Sequence, residues 1–574
     1  TLFPYTTLFR SHGSIAYDSY YYSRKKYSKT FPYYLARRDA EDPDYIYLIP
    51  QSEESIWSVS TGWDKNRKVY MEFGIDYNRT FGLHKTTALI LYNQSKYYSP
   101  SLQYYVPNAY QGLVGRLTYE YASRYLAEFN MGYNGTENFA KGKRFGFFPA
   151  VSLGWVISEE KFFPKNNIVK YLKVRGSYGE VGNDQIGGDR FLYLPSSYGA
   201  ASDSGVNKYN FGLASNPYTS LMIVENKIGN PDLTWEKAKK MNVGVDINLF
   251  NNCLTASFDI FKEKRNNILA NRSTSPMIIG ANLPAYNFGE MENRGWEMDL
   301  NFRHHIQDFH YWARFNYSFA RNEIIYMDEV QKRYDYQMTT GRRKNQFFGL
   351  IFDGYYNSWE EINALDRPKS SWSGNQLQPG DVKYVDVNQD GVIDDYDMVP
   401  IGYTPVPEII YGFSFGAQYK GFDFSILFQG ADNVSIKYFG RSMWPFAKGE
   451  ESAKSLIKER WTQERSEAGE KITFPRLSLN PNGETDHNYR PSTLWIRDAS
   501  YLRLKNLEVG YTFTGGFVKR LNLNSVRLYF NGSNLFTWTD VVDLDPEAPS
   551  RSGNVEINTY PLQKVYNIGL NINF

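Results

Sequence analysis

Read back from Phe574, the chain places Ile572, Leu570, Ile568 and Tyr566 at every second position, with Asn573, Asn571, Gly569 and Asn567 between them. Successive side chains of a strand point to opposite faces, so this period of two predicts a strand with one apolar face and one small or polar face. The pattern recurs. Leu113, Gly115, Leu117, Tyr119 and Tyr121 alternate with Arg116, Thr118 and Glu120; a tight turn later, Tyr125, Ala127, Phe129, Met131 and Tyr133 alternate with Glu128, Asn130 and Gly132. Val243 to Leu249 and Leu254 to Ile260 form a similar pair, as do Trp296 to Phe302 and Tyr311 to Phe319. Tyr411 to Tyr419 and Phe422 to Phe428 flank a Lys420-Gly421 turn, and Leu507 to Phe513 and Val526 to Phe530 follow.

Strands of roughly ten residues are long enough to cross a bilayer at a tilt. Their polar faces carry Glu, Asp and Arg, which must meet water or protein. Their apolar faces carry Tyr, Trp and Phe toward the strand ends, as interfacial girdles do. Short turns (Asn251-Asn252, 305–309, Lys420-Gly421) alternate with long connections at about 195–238, 322–406 and 431–493. That asymmetry also belongs to outer-membrane barrels. The predicted fold is all-β: a transmembrane antiparallel β-barrel, with on the order of 14–16 strands in this chain. Lipid offers no partner for backbone groups, so the wall must close, and further partner strands are expected. In water, the uncharged terminal strand would instead be an aggregation hazard.

Composition narrows the alternatives. Among 574 residues, Lys plus Arg number 64 and Asp plus Glu 62, a net charge of +2 that gives no reason to expect nucleic acid as a partner. Aromatic residues make up 17%, yet mean hydropathy is −0.54. No apolar run approaches the roughly 18 residues of a membrane-spanning helix. A soluble chain of this length would divide into about four domains, but no linker or change of composition appears. Cys253 stands alone, so neither an intramolecular disulfide nor a cysteine metal site can form. Residues 1–11 (TLFPYTTLFRS) match the in-frame translation of a sequencing-adapter oligonucleotide. They are set aside, the barrel domain is assigned to residues 12–574, and the chain is expected to begin inside a longer gene.

One local motif carries metal chemistry. In DVNQDGVIDDYD, Asp386, Asn388 and Asp390 occupy positions 1, 3 and 5 of an EF-hand-like loop, and Gly391 position 6. Val392 supplies a carbonyl at 7, Asp394 stands at 9 and Asp397 at 12, with Ile393 at the inward-packing position. Hard oxygen donors around a sharp turn suit Ca2+, here as a loop stiffener rather than a catalyst. The alternative is a solvated acidic turn. Gly412 to Gly416 fits the G-x-S-x-G pattern of a nucleophile elbow, but Ser414 falls in mid-strand, where no elbow can form. His304, His305 and His310 gather at one turn without zinc-ligand spacing. Arg24-Lys25-Lys26 and Arg342-Arg343-Lys344 read as loop or lumen charges. Loop aromatics such as Tyr104, Tyr105, Trp359 and Trp372 offer flat faces to a pyranose ring; none is singled out as a substrate site. No convergent acid–base or nucleophilic set is found, so the chain is not expected to be an enzyme.

Seven pieces in order carry a family resemblance. They are FFPAVSLGW (147–155) with SEEKFF (158–163), YLKVRGSYGEVGN (171–183), NPDLTWEKAKKMNVGVD (230–246), NRGWEMDL (293–300), YKGFDFSILFQG (419–430), RDASYLRLKNLEVGYTF (497–513) and NGSNLFTWT (531–539). From about residue 14 to Phe574 the chain resembles the SusC/RagA-type TonB-dependent outer-membrane transporters of Bacteroidetes. The resemblance implies a plugged barrel of about 22 strands, of which this chain supplies the C-terminal part, the plug domain and TonB box lying before residue 14. It further implies a Gram-negative outer-membrane location and import of an oligosaccharide, or a peptide, powered through the TonB complex beneath a SusD-like lipoprotein. The alternatives are a passive porin-like barrel and a siderophore-receptor barrel. The acidic loop and NLFTWT argue against the latter.

Overall fold

The computed structural model describes residues 9–38, 46–50, 52–187, 190–195, 199–200, 208–213, 218–221, 223–224, 228–274, 283–372, 377–438, 444–446, 455–478, 486–542, 544–547, 554–555 and 562–574. Sixteen strands form one sheet in simple sequence order, each antiparallel to the next. They are β1 (Phe9–Ser28), β2 (Ser58–Phe81), β3 (His84–Tyr98), β4 (Asn108–Tyr121), β5 (Tyr125–Thr136), β6 (Phe145–Val156), β7 (Val169–Asn183) and β8 (Glu236–Leu249). The second half comprises β9 (Leu254–Ala270), β10 (Tyr286–Ile306), β11 (Phe309–Tyr326), β12 (Ile409–Tyr419), β13 (Phe422–Asp432), β14 (Tyr501–Phe513), β15 (Ser525–Thr539) and β16 (Val565–Asn573). Among the described residues the sheet has two free edges, since β1 pairs with β2 alone and β16 with β15 alone. Of the first eleven residues, Phe9, Arg10 and Ser11 are described, and they pair with Tyr77, Asp76 and Ile75.

Connections divide by end. Those at one end are mostly tight: Gly82-Leu83, residues 122–124, 250–253 and 307–308, and Lys420-Gly421, with 157–168 and 514–524 somewhat longer. At the opposite end run the long ones, among them 184–235, 327–408 and 433–500. Lys420 and Gly421 have φ of 44° and 92°, the pair of positive values that a two-residue hairpin of type I′ requires. A side chain at Gly421 would also press on the Thr512 carbonyl oxygen, at 2.8 Å from the Cβ.

Strand lengths depart from the expectation of roughly ten residues: β2 has 24 and β10 has 21. The outward face explains why. Ile260, Trp296 and Phe319 lie side by side on β9, β10 and β11; one step further toward the long connections the outward positions become Lys262, Arg294 and Arg321. Beyond them Lys262 pairs with Glu292 and Lys264 with Glu290, each at 2.9 Å. The strands continue past the apolar band as a charged wall in water. On β5 the band runs from Tyr125 to Tyr133, and those steps, at about 3.4 Å each with a tilt of about 40°, rise roughly 20 Å, close to the height of a lipid-facing band.

The dry core lies elsewhere. It is built from the long connections, where Leu350, Val382, Ile393, Val434, Tyr438, Trp461, Phe474, Tyr489, Trp495 and Val541 form one buried cluster. A smaller cluster, Phe139, Phe148, Leu233 and Trp235, joins the connections on either side of β6 and β7. Within the sheet, the faces are set by register: Phe258, Met298 and Tyr317 share the outward face, and Asp259, Glu297 and Ser318 the inward one.

Met298→Arg, at mid-band, should cost about 2–4 kcal/mol of stability in lipid vesicles, measured by denaturant unfolding, whereas the inward Glu297→Gln should change little. Equal effects would mean that the outward face does not meet lipid.

Candidate functional site: the inner wall and the mouth

The inward face of the sheet carries a series of arginine–carboxylate clusters near the short-turn end. Arg175 on β7 reaches across β8 to β9. It donates to Asp246 at 3.1 and 3.2 Å, to Asp259 at 2.6 and 2.7 Å, and to Ser257 at 3.2 Å. The residue opposite it is Gly244, where a Cβ would stand 2.7 Å from the Arg175 Cζ. The guanidinium therefore lies flat over that backbone. On β15, Arg527 donates to Asp423 at 3.0 Å and to Glu508 at 2.6 Å, and Asn531 Nδ2 donates to Glu508 at 3.1 Å. Arg116 and Glu128 pair at 2.9 Å on β4 and β5. Two of these arginines each hold two carboxylates; Lys173, opposite Asp246, balances the charge of the Arg175 cluster, and the Arg527 cluster is net negative. A hollow of about 390 Å³ runs along this wall between Thr118, Glu128 and Arg175. Such a face suits water or a polar protein surface, and hydrocarbon would not solvate it.

At the opposite end the mouth is tied to the wall by buried ion pairs. Arg503, 2% exposed, donates to Asp545 at 2.7 Å, to Glu547 and to Thr537 at 2.9 Å. Glu547 also accepts from Tyr501 at 2.7 Å and from Lys505 at 3.1 Å. Burial pushes the Asp545 carboxyl up, but Arg503 with the Glu547 and Leu562 amides outweighs it and holds the group below the usual carboxylate range. Glu408, at the foot of β12, is likewise buried between Arg321 at 2.7 Å and Arg343. Burial raises it and the two guanidiniums lower it further. His487, partly buried, is held toward its neutral form by desolvation while its ring bonds the Val382 carbonyl and Ser370.

The acidic loop sits in this mouth. Asp386 accepts from the Gln389 and Gly391 amides at 2.7 and 2.8 Å, Asn388 from Asp390 at 3.0 Å, and Asp390 from Val392 at 2.9 Å. Asp394 caps a short 3-10 turn, accepting from Tyr396 at 2.7 Å. Asp397 is fully buried and accepts from Val387 at 2.8 Å and Asp394 at 2.9 Å. Ile393 points into the mouth core. The donor set is hard oxygen throughout, which fits Ca2+ in kind. Its carboxylates are each engaged with backbone amides, and among the described residues no group of three or more His, Cys, Asp or Glu side chains is arranged to hold a metal ion.

Other sequence features fall where their chemistry allows. Ser414 lies inside β12, on the inward face opposite Arg314. His305 and His310 stand opposite each other on β10 and β11 beside the short turn, rings 5.4 Å apart. Tyr104 and Tyr105 are exposed at the mouth, with φ of 58° and 56°. Their loop is fastened by Arg190, which donates to the Val106 and Pro107 carbonyls and pairs with Glu137 at 2.6 Å. Trp359 is exposed. Trp372 is not free: it packs on the mouth core and lies 4.2 Å from the Arg490 guanidinium. The sequence reading missed the Arg175, Arg527 and Arg503 clusters. Alternation did place Arg175 and Arg527 on polar faces, but their partners lie on other strands and need the register.

The family described as "TonB dependent receptor-like, beta-barrel" matches residues 3–535. TonB-dependent receptor P3 of Formosa agariphila is 29% identical over 479 residues, which take up 80% of this chain and 45% of that protein. TonB-dependent receptor SusC of Bacteroides thetaiotaomicron is 28% identical over 477 residues, 82% of this chain and 44% of that one. The chain spans about half the length of the curated relatives it matches. The solved structure of the RagAB peptide transporter matches with a TM-score of 0.72 at 19% identity, covering 100% of this chain and 60% of that chain.

Arg503→Ala strands the Asp545 carboxylate, leaves Glu547 paired with Lys505, and should cost about 3–5 kcal/mol, seen as faster proteolysis in the 540–564 connection of the membrane-embedded protein. Because Asp545 is lowered, its contribution is present at neutral pH and fades as pH falls below the ordinary carboxylate range. Protection that stays constant down to strong acid would contradict this.

Proposed function

Since the chain belongs to the TonB-dependent receptor β-barrel family and is an outer-membrane protein that crosses with strands, we propose that it forms wall and mouth of a nutrient importer. The cargo is an oligosaccharide or a peptide, drawn inward by a TonB-coupled movement beneath a SusD-like lipoprotein. The observation that carries this reading is the division of the wall. One end has a packed mouth built from the long connections, and the other has an inner face of ion pairs suited to a mobile protein surface. Two relatives bear on the cargo: one is named SusC and another is described as a peptide transporter. Exposed Tyr104 and Tyr105 favour the sugar, since a ring covers the apolar C–H face of a pyranose. Replacing both by Ala should weaken oligosaccharide binding to the detergent-purified protein about tenfold, equal to ~1.4 kcal/mol. Uptake by cells should vanish without TonB. Uptake that persists would mark a passive pore instead.

We propose also that the loop 386–397 takes Ca2+. The support is Asp397, whose carboxyl is buried with no cationic side chain in ion-pair range among the described residues. Burial, and then the nearby Asp386 charge, raise its pKa despite the amides that lower it. Such a carboxyl stabilises the loop when protonated, and loses that contribution as pH rises through its raised pKa; a bound dication would restore it. Calorimetry should show calcium heat that Asp397→Asn abolishes. No heat at millimolar calcium would remove the proposal.

A further inference from the structure

Two grooves cut the outer, lipid-facing surface of the sheet. One, of about 600 Å³, is walled by Tyr125, Leu153, Trp155, Val174 and Val243 toward the short-turn edge of the band and suits acyl chains alone. The second, of about 470 Å³, is different in kind: Lys96, Arg144, Gln94 and Gln111 line it together with Met71 and Phe145. Register fixes its height. Met71, Gln94, Gln111, Gly135 and Phe145 form one rung across β2 to β6. The next rung toward the short turns is Phe73, Tyr92, Leu113, Tyr133 and Phe147, wholly apolar. The groove therefore opens where the apolar band ends, on the long-connection side. Its floor is low at Ala109, which has only a methyl and lies opposite Lys96, while the Phe145 ring lies across Gly135.

The charge here is uncompensated. Glu137 is the carboxylate on the groove, and Arg190 holds it at 2.6 Å. Among the described residues, neither Lys96 nor Arg144 has an acidic partner in ion-pair range. Two cations and two amides above an apolar trough match an amphiphile with an anionic head. A soluble anion has no use for the trough, and a neutral lipid none for the cations. We infer that this groove seats a membrane lipid with a phosphorylated headgroup of net negative charge, its phosphate between Lys96 and Arg144 and an acyl chain on Leu113 and Tyr133 below.

Native mass spectrometry of the detergent-purified protein, titrated with phosphatidylglycerol, phosphatidylcholine or inorganic phosphate, tests this. Phosphatidylglycerol should be retained at least about tenfold more tightly than phosphatidylcholine. Lys96→Gln with Arg144→Gln should erase the preference, and Ala109→Phe, which fills the trough and keeps both charges, should weaken phosphatidylglycerol binding. Equal retention of the two lipids by the unaltered protein, or inorganic phosphate bound as tightly as phosphatidylglycerol, would overturn the inference however the variants fold.

Discussion

A strand inside a bilayer has no water to satisfy its backbone, so every N–H and C=O must be bonded by a neighbouring strand. All else here depends on that constraint. It forces the chain into a wall, and the pleat of the wall sends alternate side chains to lipid and to lumen. Phe258, Met298 and Tyr317 face one way and Asp259, Glu297 and Ser318 the other, at the same height and from the same three strands. Apolar residues that would be a core in a soluble protein are here an outer coat, with Ile568 81% exposed and Leu153 63% exposed.

The conventional hydrophobic core is displaced to the mouth. The long connections bring together Leu350, Tyr438, Trp495 and Val541 from four regions of the sequence, and buried ion pairs such as Arg503 with Asp545 fix that assembly to the strands below. Salt bridges of this kind carry a desolvation cost that only several hydrogen bonds offset. Arg503 has them in Thr537, Asp545 and Glu547. The result is a rigid rim over an inner wall whose own charges are paired yet accessible, an arrangement that holds its entrance in shape while leaving its inner face open to a partner.

Alternation made the membrane-crossing parts of the strands readable, because lipid on one side and water on the other leave opposite marks on neighbouring positions. It failed where both faces are wet. Glu236 to Lys240 and Lys262 to Asn266 are charged on either side and look like loop, yet they continue β8 and β9 in full register. The mouth core was hidden for another reason. Trp461, Phe474, Tyr489 and Trp495 follow no period, and they meet through chain folding that local pattern does not encode. For the acidic loop, spacing revealed the donor types but not that Asp397 would be buried while Asp390 stays exposed. Ion-pair partners such as Arg175 and Asp259 are 84 residues apart, a distance only strand register bridges.

The account's central claim is that outward residues meet lipid and inward ones meet water. Single cysteines placed in turn from Trp296 to Phe302, in a Cys253→Ser background and with the protein in bilayers, test it directly through labelling by a charged thiol reagent. The account predicts strong labelling at 297, 299 and 301 and protection at 298 and 300. Uniform labelling along the segment, or protection of 297 and 299 with 298 and 300 reactive, would contradict it.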